Sequence, residues 1–82
     1  MKRRHKKTAK ERAAEIDKLI GARIRVLRHP RSQKEVADFT GRTTSQISRV
    51  ELGDTTADPA LLLLLAKCFG IQVQDFFDGV IV

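Results

Sequence analysis

The chain has a single cysteine, Cys68, in 82 residues, so it can form neither an intrachain disulfide nor a cysteine-cluster zinc site. That usage suits a reducing compartment, and a cytoplasmic protein is expected. The longest apolar run, Ala60 to Ala66, is far shorter than the roughly 20 residues a membrane-spanning helix needs. No apolar core follows the basic N-terminus, so no signal peptide is expected. His5 and His29 stand apart from one another, and no glycine-rich phosphate loop occurs. Cys68 falls in an apolar helical stretch, where an inert core thiol is the expected state. Neither catalysis nor a cofactor or metal is therefore anticipated. A chain of this length with 41% apolar residues is expected to build one modest core, and no separate sensor domain is expected.

Positive charge, by contrast, is abundant and unevenly placed. Residues 1–12 carry seven lysines and arginines against Glu11 alone, a net +6 that equals the charge of the whole chain. Residues 18–49 hold a further eight basic side chains against Glu35 and Asp38, whereas residues 50–82 hold five acids against Lys67. One pole of the domain is basic and the other acidic, a distribution that steers a polyanion to one side.

Three segments follow from this pattern. Residues 1–8 form a basic arm with too little apolar surface to order itself, residues 9–79 form the folded domain, and residues 80–82 are an apolar, β-prone tail. Thr8 and Glu11 have the spacing of a capping box and predict a helix from Ala9. Ala9, Ala13, Ile16, Ile20, Ile24 and Leu27 recur in steps of three or four, as one buried helical face would. Gly21 is a weak point, costing about 1 kcal/mol relative to alanine, and a break can fall there. His29-Pro30 ends the helix, because proline disfavours helical geometry in the residue before it.

The stretch Ser32 to Gly53 then reads as two short helices joined by a tight turn. Ser32 is placed to cap the first, Val36 and Ala37 to face the core, and Gly41 to take the positive φ of the turn. Thr43 caps the second, which runs to about Leu52 with Ile47 and Val50 inward. Burying those two turns Thr44, Ser45, Ser48 and Arg49 to the other side. A fourth helix is expected from Pro59, capped by Asp58 and stopped by Gly70, and a short fifth over Gln72 to Phe77 with Phe76 and Phe77 closing the core. The five leucines Leu61 to Leu65 cover the fourth helix all round, where one buried stripe would need two or three.

Gln33, Ala37, Gly41, Ile47, Ser48, Glu51 and Gly53, with Pro59, Ala66 and Gly70 downstream, resemble the Cro/phage-repressor (xenobiotic-response-element type) helix-turn-helix family. The resemblance covers about residues 20–77 and implies an all-α, compact five-helix, lambda-repressor-like DNA-binding domain. It further implies a dimeric repressor or, as the alternative, an antitoxin that binds a toxin protein and represses its own operon. In this family Gln33 would contact a phosphate, Thr44 and Ser45 would lead the recognition helix, and Arg28 would pair with Glu51. Thr40 and Arg42 depart from the pattern, since relatives usually carry apolar residues there, and Phe39 is the candidate to supply the missing core.

These readings converge on double-stranded DNA as the partner. The expected contacts are Gln33, Arg42, Thr43, Thr44, Ser45, Ser48 and Arg49, the last able to make a bidentate pair with guanine. Lys2, Arg3, Arg4, Lys6 and Lys7 of the arm would neutralise phosphates, each adding about 0.9 to the salt dependence. Ala37, Gly41, Ile47 and Glu51 are assigned structural roles. Relatives often place polar residues at the positions of Leu63 and Leu64, so the surplus leucines Leu61, Leu63 and Leu64 point to a homodimer interface that Val80 to Val82 can extend. A twofold dimer would set two recognition helices about 34 Å apart, one turn of DNA.

Overall fold

In the computed structural model, which describes residues 7–80, the chain folds as α1 (Ala9–Arg28), α2 (Gln33–Thr40), α3 (Thr44–Leu52) and α4 (Pro59–Phe69), followed by a 3-10 helix (Val73–Phe77). The expected fifth α-helix is thus a single 3-10 element. Only eight residues separate Gly70 from Gly79, both at positive φ, and i→i+3 bonds such as Asp75 N–H to Gln72 O at 3.0 Å suit so short a piece. No strand occurs among the described residues, and no helix among them is long and apolar enough to cross a membrane.

Each α-helix starts on a side-chain cap. Thr8 with Glu11, Ser32 with Glu35 and Thr43 with Gln46 form reciprocal capping boxes, and the Leu61 N–H donates to Asp58 Oδ1 at 2.8 Å. These bonds satisfy helix-start donors that would otherwise lack partners. Gly41 (φ 72°) ends α2 in the left-handed region, with its N–H on the Ala37 carbonyl.

Ile24, Val36, Ile47, Leu61, Leu65 and Phe76 form the centre of the core, one or more from each element. Phe69 and Phe76 meet edge to face with centroids 6.1 Å apart. Helix α1 runs unbroken through Gly21, because that glycine is where α1 crosses α3. A Cβ there would stand 2.7 Å from the Glu51 carbonyl oxygen and nearer still to that of Val50. Farther along the crossing, Gly53 closes α3 against the backbone of Lys18.

Three expectations about packing are corrected. Ala9, Ala13 and Ile16 are exposed, so the buried face of α1 begins only near Ile20; the first two turns of the helix extend past the body they were expected to cover. Phe39 is 54% exposed and supplies no core. Thr40 takes that place instead: its side chain is buried, and its hydroxyl donates to the Val36 carbonyl at 2.9 Å. A threonine folded back in this way buries no unsatisfied polar group, which explains a polar residue at the turn.

Candidate nucleic-acid interface

Ile47, Val50 and Glu51 hold α3 against α1 and α2, and this fixes which of its side chains look outward. Thr44, Ser45 and Arg49 are exposed and Ser48 is half-buried at the edge of the same face. Leu52, 60% exposed, continues the ridge one turn beyond Ser48. That residue was absent from the sequence-derived site, although its spacing of four from Ser48 placed it there.

Not every expected contact is free to make one. The Thr43 hydroxyl accepts the Gln46 N–H at 3.1 Å, so its oxygen caps α3 while the residue stays exposed. Gln33 is half-buried, and its Nε2 donates to Glu51 Oε1 at 3.0 Å. Arg42 grips Asp58 with two bonds, Nη1 to Oδ2 at 3.0 Å and Nη2 to Oδ1 at 3.1 Å. Arg42, one of the expected DNA contacts, thus ties the α2–α3 turn to the cap of α4. Its bonds, together with the Leu61 N–H, hold the Asp58 carboxyl below its ordinary pKa of 3.8. Of the arm, Lys7 is paired with Glu15, and its carbonyl accepts from Arg12 Nη1 at 2.8 Å. Lys2, Arg3, Arg4 and Lys6 lie outside the described residues.

Beneath the outward face is a buried polar cluster. Arg28 donates from Nε to Glu51 Oε2 at 2.6 Å, from Nη2 to Glu51 Oε1 at 3.3 Å, and from Nη1 to the Arg31 carbonyl at 2.7 Å. With Gln33 added, the cluster joins the end of α1, the start of α2 and the last turn of α3. The angle at which α3 presents its ridge is therefore set by hydrogen bonds as well as by Ile47 and Val50.

The leucine run divides by burial. Leu61, Leu62 and Leu65 are core, so Leu61 is corrected from an interface residue to a core residue with 1% exposure. Leu63 is 59% exposed, and Leu64 is half-buried beside it. Cys68 is partly covered, and burial raises its thiol pKa, with Arg31 opposing and Glu35 adding to the effect.

Two short capped helices set by a glycine turn, the second with a polar outward ridge on an inward apolar stripe, define a helix-turn-helix unit. The comparison with known proteins agrees: a helix-turn-helix family model matches residues 23–76. The chain belongs to the Cro/phage-repressor type helix-turn-helix family, a family of DNA-binding transcription regulators. It is 38% identical over 60 residues to the competence pilus inhibition repressor of Acinetobacter baylyi (strain ATCC 33305 / BD413 / ADP1), a match covering 71% of this chain and 54% of that repressor. The chain thus spans about half the length of the curated relative it matches. Among solved structures, the restriction-modification controller protein C.AhdI from Aeromonas hydrophila superposes with a TM-score of 0.71 at 28% identity, over 74% of this chain and 96% of the other.

Proposed function

We propose that this protein is a sequence-specific repressor of transcription that acts in the cytoplasm as a homodimer on an inverted repeat, with α3 lying in the major groove of each half-site. The observation that carries the reading is the outward ridge of α3, where Arg49 is exposed and has no intramolecular partner among the described residues. A guanidinium so placed is ready for the O6/N7 edge of guanine, while Thr44, Ser45 and Ser48 offer short donors and acceptors. The repressor named among its relatives supports the direction of regulation.

Leu63 and Leu64 support the dimer. Leu63 is left uncovered on α4 with the half-buried Leu64 beside it, and with Leu61 in the core they are the part of the leucine run available to a second copy. Selection of bound sequences from a random double-stranded DNA pool tests the whole reading. The expected product is a pair of inverted half-sites about one helical turn apart. A single unpaired half-site removes the dimer, and a pool that shows no enrichment removes sequence-specific binding.

A further inference from the structure

Six arginines lie between residues 18 and 49, and the structure separates them by what they already hold. Arg23 donates to the Asp75 carbonyl at 3.0 Å, Arg28 is bonded to Glu51, Arg31 lies over the Phe69 ring at 5.5 Å, and Arg42 grips Asp58. Arg25 and Arg49 alone have no intramolecular partner among the described residues. They stand on opposite flanks of the α3 ridge, each lining one of two open clefts.

The cleft on the α1 side has a volume of about 230 Å³ and is lined by Arg25, Arg28, Gln33, Ser48, Glu51 and Leu52. Small-molecule sites usually run to about 300–1,000 Å³ with mainly apolar walls, so this smaller, polar cleft is a poor fit for an effector. Its charge is positive, because both Glu51 oxygens are already occupied: one by Arg28, the other by Arg28 and Gln33. Arg25 is thus an uncompensated cation at the mouth, with Ser48 beside it and Leu52 exposed at the lip.

We propose that this cleft is a binding site for a DNA backbone phosphate, with Arg25 as its principal ligand, so that α1 is a second DNA-contacting element. The inference rests on the DNA-binding reading above. A helix lying in a major groove about 12 Å wide has a phosphate backbone along each flank, and the Arg25 cleft opens on one of those flanks. Arg25 pairs with a phosphate oxygen, the Ser48 hydroxyl donates to the same group, and Leu52 packs on the adjoining deoxyribose. The contact fixes the depth and tilt of α3 without reading a base.

Binding isotherms of the full chain on its selected site and on an unrelated duplex, over a range of salt concentrations, test the assignment. Arg25→Gln should lower the salt slope by about 0.9 per protomer, the value of one phosphate contact, and weaken both duplexes by the same factor. Arg25→Lys should restore most of the slope. Lys67→Gln removes the same charge from an exposed position on α4 that lines neither cleft, and should leave the slope unchanged. An Arg25→Gln slope equal to that of the parent, or equal to that of Lys67→Gln, overturns the phosphate site. So does a loss confined to the selected duplex, since Arg25 would then be reading sequence. If the parent chain binds neither duplex, it is the DNA-binding reading that fails.

Discussion

Arg28 and Glu51 are joined by two hydrogen bonds, 2.6 and 3.3 Å long, and both side chains are almost wholly withdrawn from water. A buried pair is no great source of net stability, but removing one member leaves the other's charge buried without its counter-charge, at a cost of about 3–5 kcal/mol. Glu51→Ala should lower stability by that amount in urea denaturation, a large share of the 5–15 kcal/mol typical of a small domain. The double variant Arg28→Met, Glu51→Leu should recover most of the loss. If it is no more stable than Glu51→Ala, the cost lies in the shape of the site and not in a stranded charge.

Gly21→Ala sets two effects against each other. Alanine gains about 1 kcal/mol of helix propensity, but its methyl would press on the carbonyl oxygens of Val50 and Glu51. Overpacking against rigid backbone costs about 1–3 kcal/mol, and the contact is closer than side-chain motion can relieve. The variant should melt below the parent, and a higher melting temperature would mean that α1 and α3 part without penalty.

Arg49→Ala should leave the fold untouched, because the side chain is exposed and has no partner among the described residues. On the selected operator it should cost about 1–3 kcal/mol of discrimination against a scrambled duplex. Gel-shift titrations of both duplexes measure the difference directly, and an unchanged ratio would remove Arg49 from base reading.

Two leucines only two residues apart should behave in opposite ways. Leu61→Glu puts a carboxylate in the core and should abolish the cooperative melt, since this side chain is fully buried. Leu63→Glu should preserve the helical circular dichroism but yield monomers by light scattering. A Leu63→Glu protein of unchanged mass would move the interface elsewhere.

Acid should loosen the junction of the α2–α3 turn with α4. The Asp58 carboxyl is held below its unfolded value by Arg42 and by the Leu61 N–H, and that of Glu35 is lowered by the backbone and hydroxyl of Ser32. A depressed carboxylate pKa stabilises the fold fully above the unfolded value, near pH 4, and the contribution disappears as pH falls through the folded value. The melting temperature should therefore decline below about pH 4, and Asp58→Asn should make that decline shallower. An identical decline in the variant would place the acid sensitivity at other carboxylates.

What could be read from the sequence was mostly local. The caps at Thr8, Ser32, Thr43 and Asp58, the turn at Gly41 and the inward pair Ile47 and Val50 depend on neighbours within one turn of helix, and all appear in the structure. Leu61 could not be told from Leu63, because five consecutive leucines carry no phase. Nor could the arginines be sorted, since their partners lie far along the chain: Asp75 is 52 residues from Arg23 and Asp58 is 16 from Arg42. The excess length of α1 was hidden for a related reason. Its apolar spacing continues through Ala9, Ala13 and Ile16, but periodicity says only which side would be buried and nothing about whether a neighbour reaches it. Thr40 looked like a fault in the turn until its hydroxyl was seen on the Val36 carbonyl.

Phe76, wholly enclosed by the rest of the core, has a consequence for the order of synthesis. A chain emerges N-terminus first, so both helices of the DNA-facing unit are made well before the Phe76 ring that meets Phe69 of α4 and before the Asp75 carbonyl that anchors Arg23. A nascent chain halted after Gly70 already contains every residue of that unit and the Arg28–Glu51 pair that sets α3, but not the ring at the centre of the core. Closure of the core therefore waits on residues well beyond the recognition helix, and a chain cut after Gly70 would carry the recognition sequence on a body that lacks its central aromatic ring.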